Sequence, residues 1–175
     1  MENFYDSLRN LIYQSLLKEI KEGEKILDVG CGDCDIDFYF ARRRRLLRIL
    51  GIDIGISERK EKVKDSYVEC RKGDASTFAK IDEFDVVMSK YSLHEFSKPR
   101  VVLENCHKVL KEGGKIIVVD FPKGSLAEKL WGEDYFSLQE VREMLEQARF
   151  KRVKGRLLTK QGPFVVTAVN GGTDS

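Results

Sequence analysis

The stretch Leu27-Asp28-Val29-Gly30-Cys31-Gly32-Asp33 decides the fold. Lys25 to Val29 reads as a short buried strand that runs straight into two glycines. Gly30 and Gly32 carry no Cβ, so the backbone can turn sharply there and come close to a ligand. A helix that starts after such a loop offers free N–H groups and the positive end of its dipole. The combination suits a carboxylate or a phosphate, although a tight structural turn would leave the same pattern.

Outward from the loop, strands and helices alternate. Phe4, Leu8, Leu11, Ile12, Leu16 and Ile20 recur at helical spacing and give an amphipathic first helix that stops near Gly23. Asp35 is expected to cap a helix that buries Phe38, Phe40 and Ala41. Arg48 to Ile54 reads as a second strand ending in the acid Asp53, Ser57 to Ser66 as a charged exposed helix, and Tyr67 to Arg71 as a third strand before Gly73-Asp74-Ala75. Phe84 to Met88 is a fourth strand. Pro99 opens a helix with Val101, Val102, Cys106, Val109 and Leu110 on its buried face, and Glu112-Gly113-Gly114 stops it. Lys115 to Phe121 is a fifth strand. Ser137 and Glu140 make a capping box for a helix over Leu138 to Ala148. Phe150 to Leu158 and Phe164 to Val169 are the last strands, joined through Gly162-Pro163, and Gly171 to Ser175 read as a frayed tail. Apolar strands alternating with helices imply an α/β fold with a parallel sheet covered on both faces. Ligands of such sheets sit at the carboxyl ends of the strands, near the switch in strand order.

The residues at those ends carry the chemistry. Asp53, about twenty residues beyond the loop, is placed to accept hydrogen bonds from a ribose diol. That spacing fits a nicotinamide dinucleotide and S-adenosylmethionine alike. Three details favour S-adenosylmethionine. The Asp28 carboxylate beneath the loop would oppose a pyrophosphate but tolerates an ammonium group. Cys34 and Asp35 leave the dinucleotide pattern without its third glycine. Asp74 with the small Ala75 can receive an adenine amino group and leave room for the ring.

With these motifs in order, the sequence resembles the class I S-adenosylmethionine-dependent methyltransferases, close to the methyltransferase type 11 group, from about Lys25 to Asn170. The resemblance is carried by Leu27 to Gly32, Gly51-Ile52-Asp53, Gly73-Asp74-Ala75, Phe84 to Ser89 with Leu93-His94-Glu95-Phe96, and Val109 to Lys115. It implies a Rossmann-like, doubly wound sheet of seven strands, mostly parallel with an antiparallel last strand, and helices on both faces. It implies that Gly30, Cys31 and Gly32 line the methionine part of the cofactor, with Ser89 and Lys90 beside that end. Asp53 would hold the ribose, Asp74 with Ala75 the adenine, and Ile54 would lie near the adenine face. The product would be S-adenosylhomocysteine. Cys34 departs from the family, which often has a third glycine there.

Methyl transfer from a sulfonium is an in-line displacement, so proximity and alignment carry much of it. His94 is the first candidate for a base, with Glu95 and Tyr91 behind it; His94 could equally order its loop. Ser89-Lys90-Tyr91-Ser92 replaces the Asn/Asp-Pro-Pro-Tyr sequence common in enzymes that methylate exocyclic amines of DNA bases. A small-molecule acceptor is expected, with RNA or protein as alternatives. A non-catalytic cofactor-binding subunit and an NAD-dependent oxidoreductase are the competing functions.

The bulk properties agree with one domain over residues 1–175, in which the first helix, within residues 1–23, is either a lid or a flank on the sheet. The chain has 175 residues, 42% hydrophobic and 34% charged, with a net charge of +2. That balance gives no support for a dedicated nucleic-acid binder. Neither a membrane span nor a signal peptide is apparent, and four irregularly placed cysteines do not suggest a disulfide framework, so a cytoplasmic protein is expected. Cys31 and Cys34 form a CxxC pair, but no metal site is expected, because Cys106 lies on a helix stripe and Cys70 in a strand. Arg42 to Arg45 read as a solvated helix end. Trp131, Tyr135 and Phe136 lie where the family often shapes its substrate site.

Overall fold

A computed structural model describes residues 2–77 and 83–171, with side chains from Asp6 onward. The side chain of Phe4 and residues 172–175 of the expected tail lie outside the described residues. The elements in order are α1 (Glu2–Leu17), β1 (Lys25–Val29), α2 (Asp35–Arg43), β2 (Arg48–Asp53), β3 (Arg59–Val63), β4 (Ser66–Lys72) and β5 (Phe84–Lys90). They continue with α3 (Pro99–Val109), β6 (Leu110–Asp120), α4 (Leu126–Trp131), α5 (Leu138–Gln147), β7 (Phe150–Leu157) and β8 (Phe164–Asn170).

The strands form one sheet in the order β3-β4-β2-β1-β5-β6-β8-β7. β4, β2, β1, β5 and β6 run parallel; β8 lies antiparallel between β6 and β7. The chain reverses its direction of winding between β1 and β5, so the crevice at the carboxyl ends opens there. Alternate strand residues feed two cores. Leu27, Val29, Val87, Ile116 and Val118 meet α3 and α5 on one face. Ile26, Ile49, Val86, Met88 and Ile117 meet Ile12, Leu16, Phe38 and Phe40 of α1 and α2 on the other. This two-faced cover is the expected doubly wound arrangement.

Three expectations are corrected. The sheet has eight strands, not seven, because β3 stands where a helix over 57–66 is predicted. Glu58 to Asp65 contains one apolar residue, Val63, so a helix there has no face to bury. As an edge strand, antiparallel to β4, it needs only one partner, and its exposed charges guard the open edge. The N-cap of α2 is Cys34 in a left-handed conformation (φ 63°), not Asp35, which instead puts its charge in the first turn, where the helix dipole favours it. In α3 the buried stripe is Val102, Leu103, Cys106 and Val109, while Val101 is exposed, and the helix ends at Val109, so that Leu110 and Glu112-Gly113-Gly114 already belong to β6.

The four-arginine run is structural. Arg44 donates to the carbonyls of Leu17 and Ile20 behind α1, Arg45 pairs with Asp65, and Arg43 stacks on Tyr39. No helix among the described residues is long and apolar enough to cross a membrane.

The expected capping box of α5 is present: Glu140 N–H donates to Ser137 Oγ at 3.1 Å and Ser137 N–H to Glu140 Oε2 at 2.7 Å. Ser137→Ala should lower unfolding stability by about 1 kcal/mol in urea titrations, with an unchanged m-value.

Candidate active site

The site begins where β1 ends. Gly30 and Gly32 have φ of 72° and 56°, which side-chain-bearing residues rarely adopt. Gly30 is also packed too closely for a side chain, since a Cβ there would stand 2.4 Å from Ser92 Cβ. The Gly30 and Cys31 N–H groups both donate to the Ile52 carbonyl, at 2.8 and 3.1 Å. The loop is thereby hung on the end of β2.

Asp53 completes that junction. Its Oδ2 accepts from Gly32 N–H and its Oδ1 from Gly55 N–H, each at 2.9 Å. These bonds orient the carboxylate toward a cleft lined by Gly32, Asp33, Asp53, Gly55, Ile56 and Arg59. Each oxygen keeps a lone pair for a diol. Ile54 projects into solvent beside it, 72% exposed. Asp74, after β4, accepts from the N–H and hydroxyl of Ser76, both at 2.8 Å, which hold its carboxyl below the usual range. Ala75 is buried, and Asn105 of α3 donates to the carbonyls of Ala75 and Ser76. Asn105 was not legible in the sequence, because nothing marks which residue of α3 faces this turn.

Asp28 lies beneath the loop, 1% exposed, and neither carboxylate oxygen has a partner. Burial, reinforced by Asp37, pushes its pKa well above the ordinary carboxylate value. An ammonium group is what such a carboxylate lacks, and S-adenosylmethionine carries one on its methionine part. The glycine cradle, Asp53 and the orphaned Asp28 therefore fit that cofactor in three places.

Ser89 sits differently from expectation. It is buried, and its hydroxyl lies 2.8 Å from the Ser92 hydroxyl, which donates to the Val29 carbonyl at 2.9 Å. Ser89 thus braces the glycine loop from below. Lys90 reaches the opposite wall, with its ammonium 5.2 Å from the Tyr91 ring centre and 5.8 Å from that of Tyr13.

Beyond the loop lies a cavity of about 370 Å³, lined by Tyr13 and Arg9 of α1, Lys90, Tyr91, His94, Glu95, Trp131, Glu133 and Tyr135 among others. His94 is its buried polar centre, with a side chain 4% exposed. Its Nδ1 lies 2.8 Å from Asp120 Oδ2 and its Nε2 3.0 Å from Glu133 Oε2. Burial lowers the imidazole pKa, but the Asp120 hydrogen bond and the charges of Asp120, Glu95 and Glu133 outweigh it, and the net shift is upward. Tyr91 stacks on Phe121 at 5.0 Å, and burial raises its phenol far above the usual value, which removes it as a base. Burial also raises the Glu95 carboxyl. Of the three expected catalytic residues, all reach the cavity; Asp120 and Glu133, which the sequence reading missed, are the ones that hold His94. Two groups of side chains bring metal-ligand atoms together among the described residues: His94, Glu95 and Glu133, and, behind the loop, Cys31, Cys34 and Asp37. The first is already satisfied by hydrogen bonds through His94.

Comparison with known proteins identifies the family and the fold. The family described as "Methyltransferase domain" matches residues 27–118. The chain is 30% identical to phosphoethanolamine N-methyltransferase 1 of Triticum aestivum over 170 residues, covering 89% of this chain and 34% of that protein. It thus spans about a third of the length of that plant relative. It is also 30% identical to an uncharacterized protein, MJ1123, of Methanocaldococcus jannaschii, covering 82% of this chain and 74% of that one. Among solved structures, a chain from the complex between the Haloferax volcanii Trm112 methyltransferase activator and a methyltransferase superposes with a TM-score of 0.79 at 15% identity, covering 99% of this chain and 94% of that one. Human N-acetylserotonin methyltransferase in complex with S-adenosylmethionine gives 0.72 at 17%, covering 91% and 52%. At these identities the structural likeness is one of fold.

Two outcomes follow. Gly30→Ala should cost at least about 2 kcal/mol, from a strained φ and the collision with Ser92, measured by urea unfolding. His94 has a raised folded pKa, so its charged ring stabilises the fold fully below the ordinary value of about 6.5 and loses that effect as pH rises through the higher folded value. The stability difference between the wild type and His94→Gln should therefore be largest below about pH 6.5 and shrink as the pH rises above it, followed by thermal melting.

Proposed function

The chain belongs to the S-adenosylmethionine-dependent methyltransferase family with its class I, Rossmann-like fold, and from that premise we propose that it is itself catalytic and methylates the nitrogen of a small amine. The methyl donor is S-adenosylmethionine. In this reading Asp28 receives the donor's ammonium, and the Gly30-Cys31-Gly32 backbone and Lys90 border its methionine part. Asp53 takes the ribose hydroxyls, and Asp74, Ala75 and Ile54 surround the adenine. Ser89 acts from beneath, through Ser92. When bound, the cofactor supplies a methyl group on a positively charged sulfur, so the leaving group needs no acid.

One observation supports the amine. The cavity beyond the glycine loop sets Glu95 and Glu133 among Tyr13, Tyr91, Trp131 and Tyr135. Carboxylates and aromatic faces together attract an ammonium and orient it. The plant relative's name is that of an enzyme acting on an amine nitrogen, which agrees. An amine must shed a proton before its lone pair can attack. Glu133, on the open side of His94, is placed to take that proton, which leaves the amine and the Glu133 carboxyl both uncharged, while the Asp120–His94 pair holds Glu133 in position. α1 contributes Leu8, Arg9, Ile12 and Tyr13 to the cavity wall, as a lid would.

Calorimetric titration with S-adenosylhomocysteine tests the first half of this reading, and NAD is the control. Transfer of a labelled methyl group to a panel of primary amines, with quinols, RNA and protein as the other arms, tests the second. Binding of the cofactor with no transfer in any arm would favour a non-catalytic subunit. Glu133→Gln should lower kcat by about tenfold or more while leaving S-adenosylhomocysteine affinity intact.

A further inference from the structure

Behind the glycine loop, next to Asp28, three thiols and a carboxylate come together in the interior. Cys31 follows Gly30, Cys34 caps α2, Asp37 lies one turn into α2, and Cys70 stands on β4 in register with Gly51 of β2. Cys34 Sγ lies 3.4 Å from Cys31 Sγ. The Cys70 thiol lies against Cys34. Ligand atoms of Cys31, Cys34 and Asp37 are all within 4.8 Å of one another. Gly51 makes the space, because a Cβ there would stand 2.7 Å from Cys34 Sγ and 2.8 Å from Cys31 Sγ.

An independent sign points to an occupant. Asp37 is fully buried, and neither of its carboxylate oxygens has a hydrogen-bond partner. A buried carboxylate with no donor is costly unless a cation or a proton satisfies it. A disulfide would leave this carboxylate as it is. It would also require the two sulfurs to close from 3.4 Å to about 2.05 Å. A tetrahedral zinc site with bonds of about 2.3 Å holds its sulfurs about 3.8 Å apart, a change of only about 0.4 Å from the present spacing.

We propose that Cys31, Cys34 and Asp37 bind a thiophilic divalent cation of the zinc class behind the cofactor loop, with Cys70 the nearest further thiol for the fourth position. Binding exchanges protons for metal: each thiol that becomes a ligand releases one proton, and the cation takes up the negative charge left on sulfur and carboxylate. The ion clamps Cys31, at the heart of the glycine loop, to the first turn of α2. The role is structural, since the surrounding side chains are buried and leave no open position for a substrate.

The test uses the full chain, purified reduced and without chelators. Metal content is measured directly, and cobalt is then titrated into the metal-stripped protein to look for the thiolate-to-cobalt charge-transfer band. We expect about one ion per chain, bound at least about tenfold more weakly by Asp37→Asn and with the charge-transfer band much reduced in Cys34→Ser. Cys106→Ser, which removes a thiol outside the cluster, should bind as the wild type does. Far-ultraviolet circular dichroism checks that each variant is folded, and Asp37→Asn, which keeps every thiol, carries the test if Cys34→Ser does not fold. Folded wild-type protein that takes up neither zinc nor cobalt would overturn the proposal. So would uptake that is the same in all variants, or a Cys31–Cys34 disulfide forming in place of metal binding. S-adenosylhomocysteine binding does not enter these readouts, so the methyltransferase reading stands or falls separately.

Discussion

Three backbone N–H groups of the glycine loop are committed to the end of one neighbouring strand: Gly30 and Cys31 to the Ile52 carbonyl, and Gly32 to Asp53. The site depends on this junction. It places the Asp53 carboxylate against the loop, beside the cleft that Gly32 and Asp53 both line. It also demands that no side chain intervene. Gly30 lies against Ser92, Gly51 against Cys31 and Cys34, and Gly73 against Ile52. Each glycine backbone is thereby packed directly against a side chain of another segment, sixty-two residues away for Gly30 and Ser92, and the Ser92 hydroxyl ties that contact to Val29. Left-handed conformations at Gly30, Gly32 and Cys34 are the local cost, offset by hydrogen bonds contributing about 1 kcal/mol each.

Much of this was legible in the sequence because it depends on local residue type. The left-handed turns at Gly30 and Gly32 and the Ser137/Glu140 box each depend on residues within a few positions, and the structure has them in place; Asp53 and Asp74 stand at the strand ends where the sequence puts them. The helix expected over 57–66 was misread because its charges fit an exposed helix and an edge strand equally well, and only pairing with Tyr67 to Cys70 decides between them. The partners of His94 were hidden for a different reason. Asp120 and Glu133 lie 26 and 39 residues away and meet it only through the sheet. An acid closing the apolar run Ile116 to Val119 was the one available signal for Asp120, since a carboxylate ending a buried strand needs a partner. A strand position says nothing against Cys70, because β4 packs against α2 and its thiol lies against Cys34.

The Asp120–His94 pair is nearly fully buried, and its worth is positional rather than stabilising. Desolvation of two such groups consumes most of their attraction. What remains is orientation: Asp120 also accepts from the Phe121 N–H, which fixes the carboxylate to its own strand end. The imidazole is held between that fixed acid and Glu133, which is 41% exposed in its side chain and can exchange protons with solvent. A buried anchor, a histidine and a wet carboxylate form a graded path from core to cavity.

The charge of the cavity bears on the amine reading. A sulfonium donor and an ammonium acceptor repel, and two unit charges 4 Å apart at an effective dielectric constant of 20 cost about 4 kcal/mol. In the amine reading, Asp28 beneath the loop would offset the donor's charge, and Glu95 and Glu133 in the cavity wall would offset the acceptor's. Each carboxylate lowers the cost of bringing one of them in. Removal of the acceptor's proton abolishes the repulsion altogether, so the group that takes the proton also removes the largest electrostatic barrier to approach. The same carboxylates would do nothing for a neutral carbon or hydroxyl acceptor, which has no charge to offset. In the amine reading, Glu95 and Glu133 therefore act against the charges of Lys90 and Arg9, which line the same cavity, and favour nitrogen where their own carboxylates meet the acceptor.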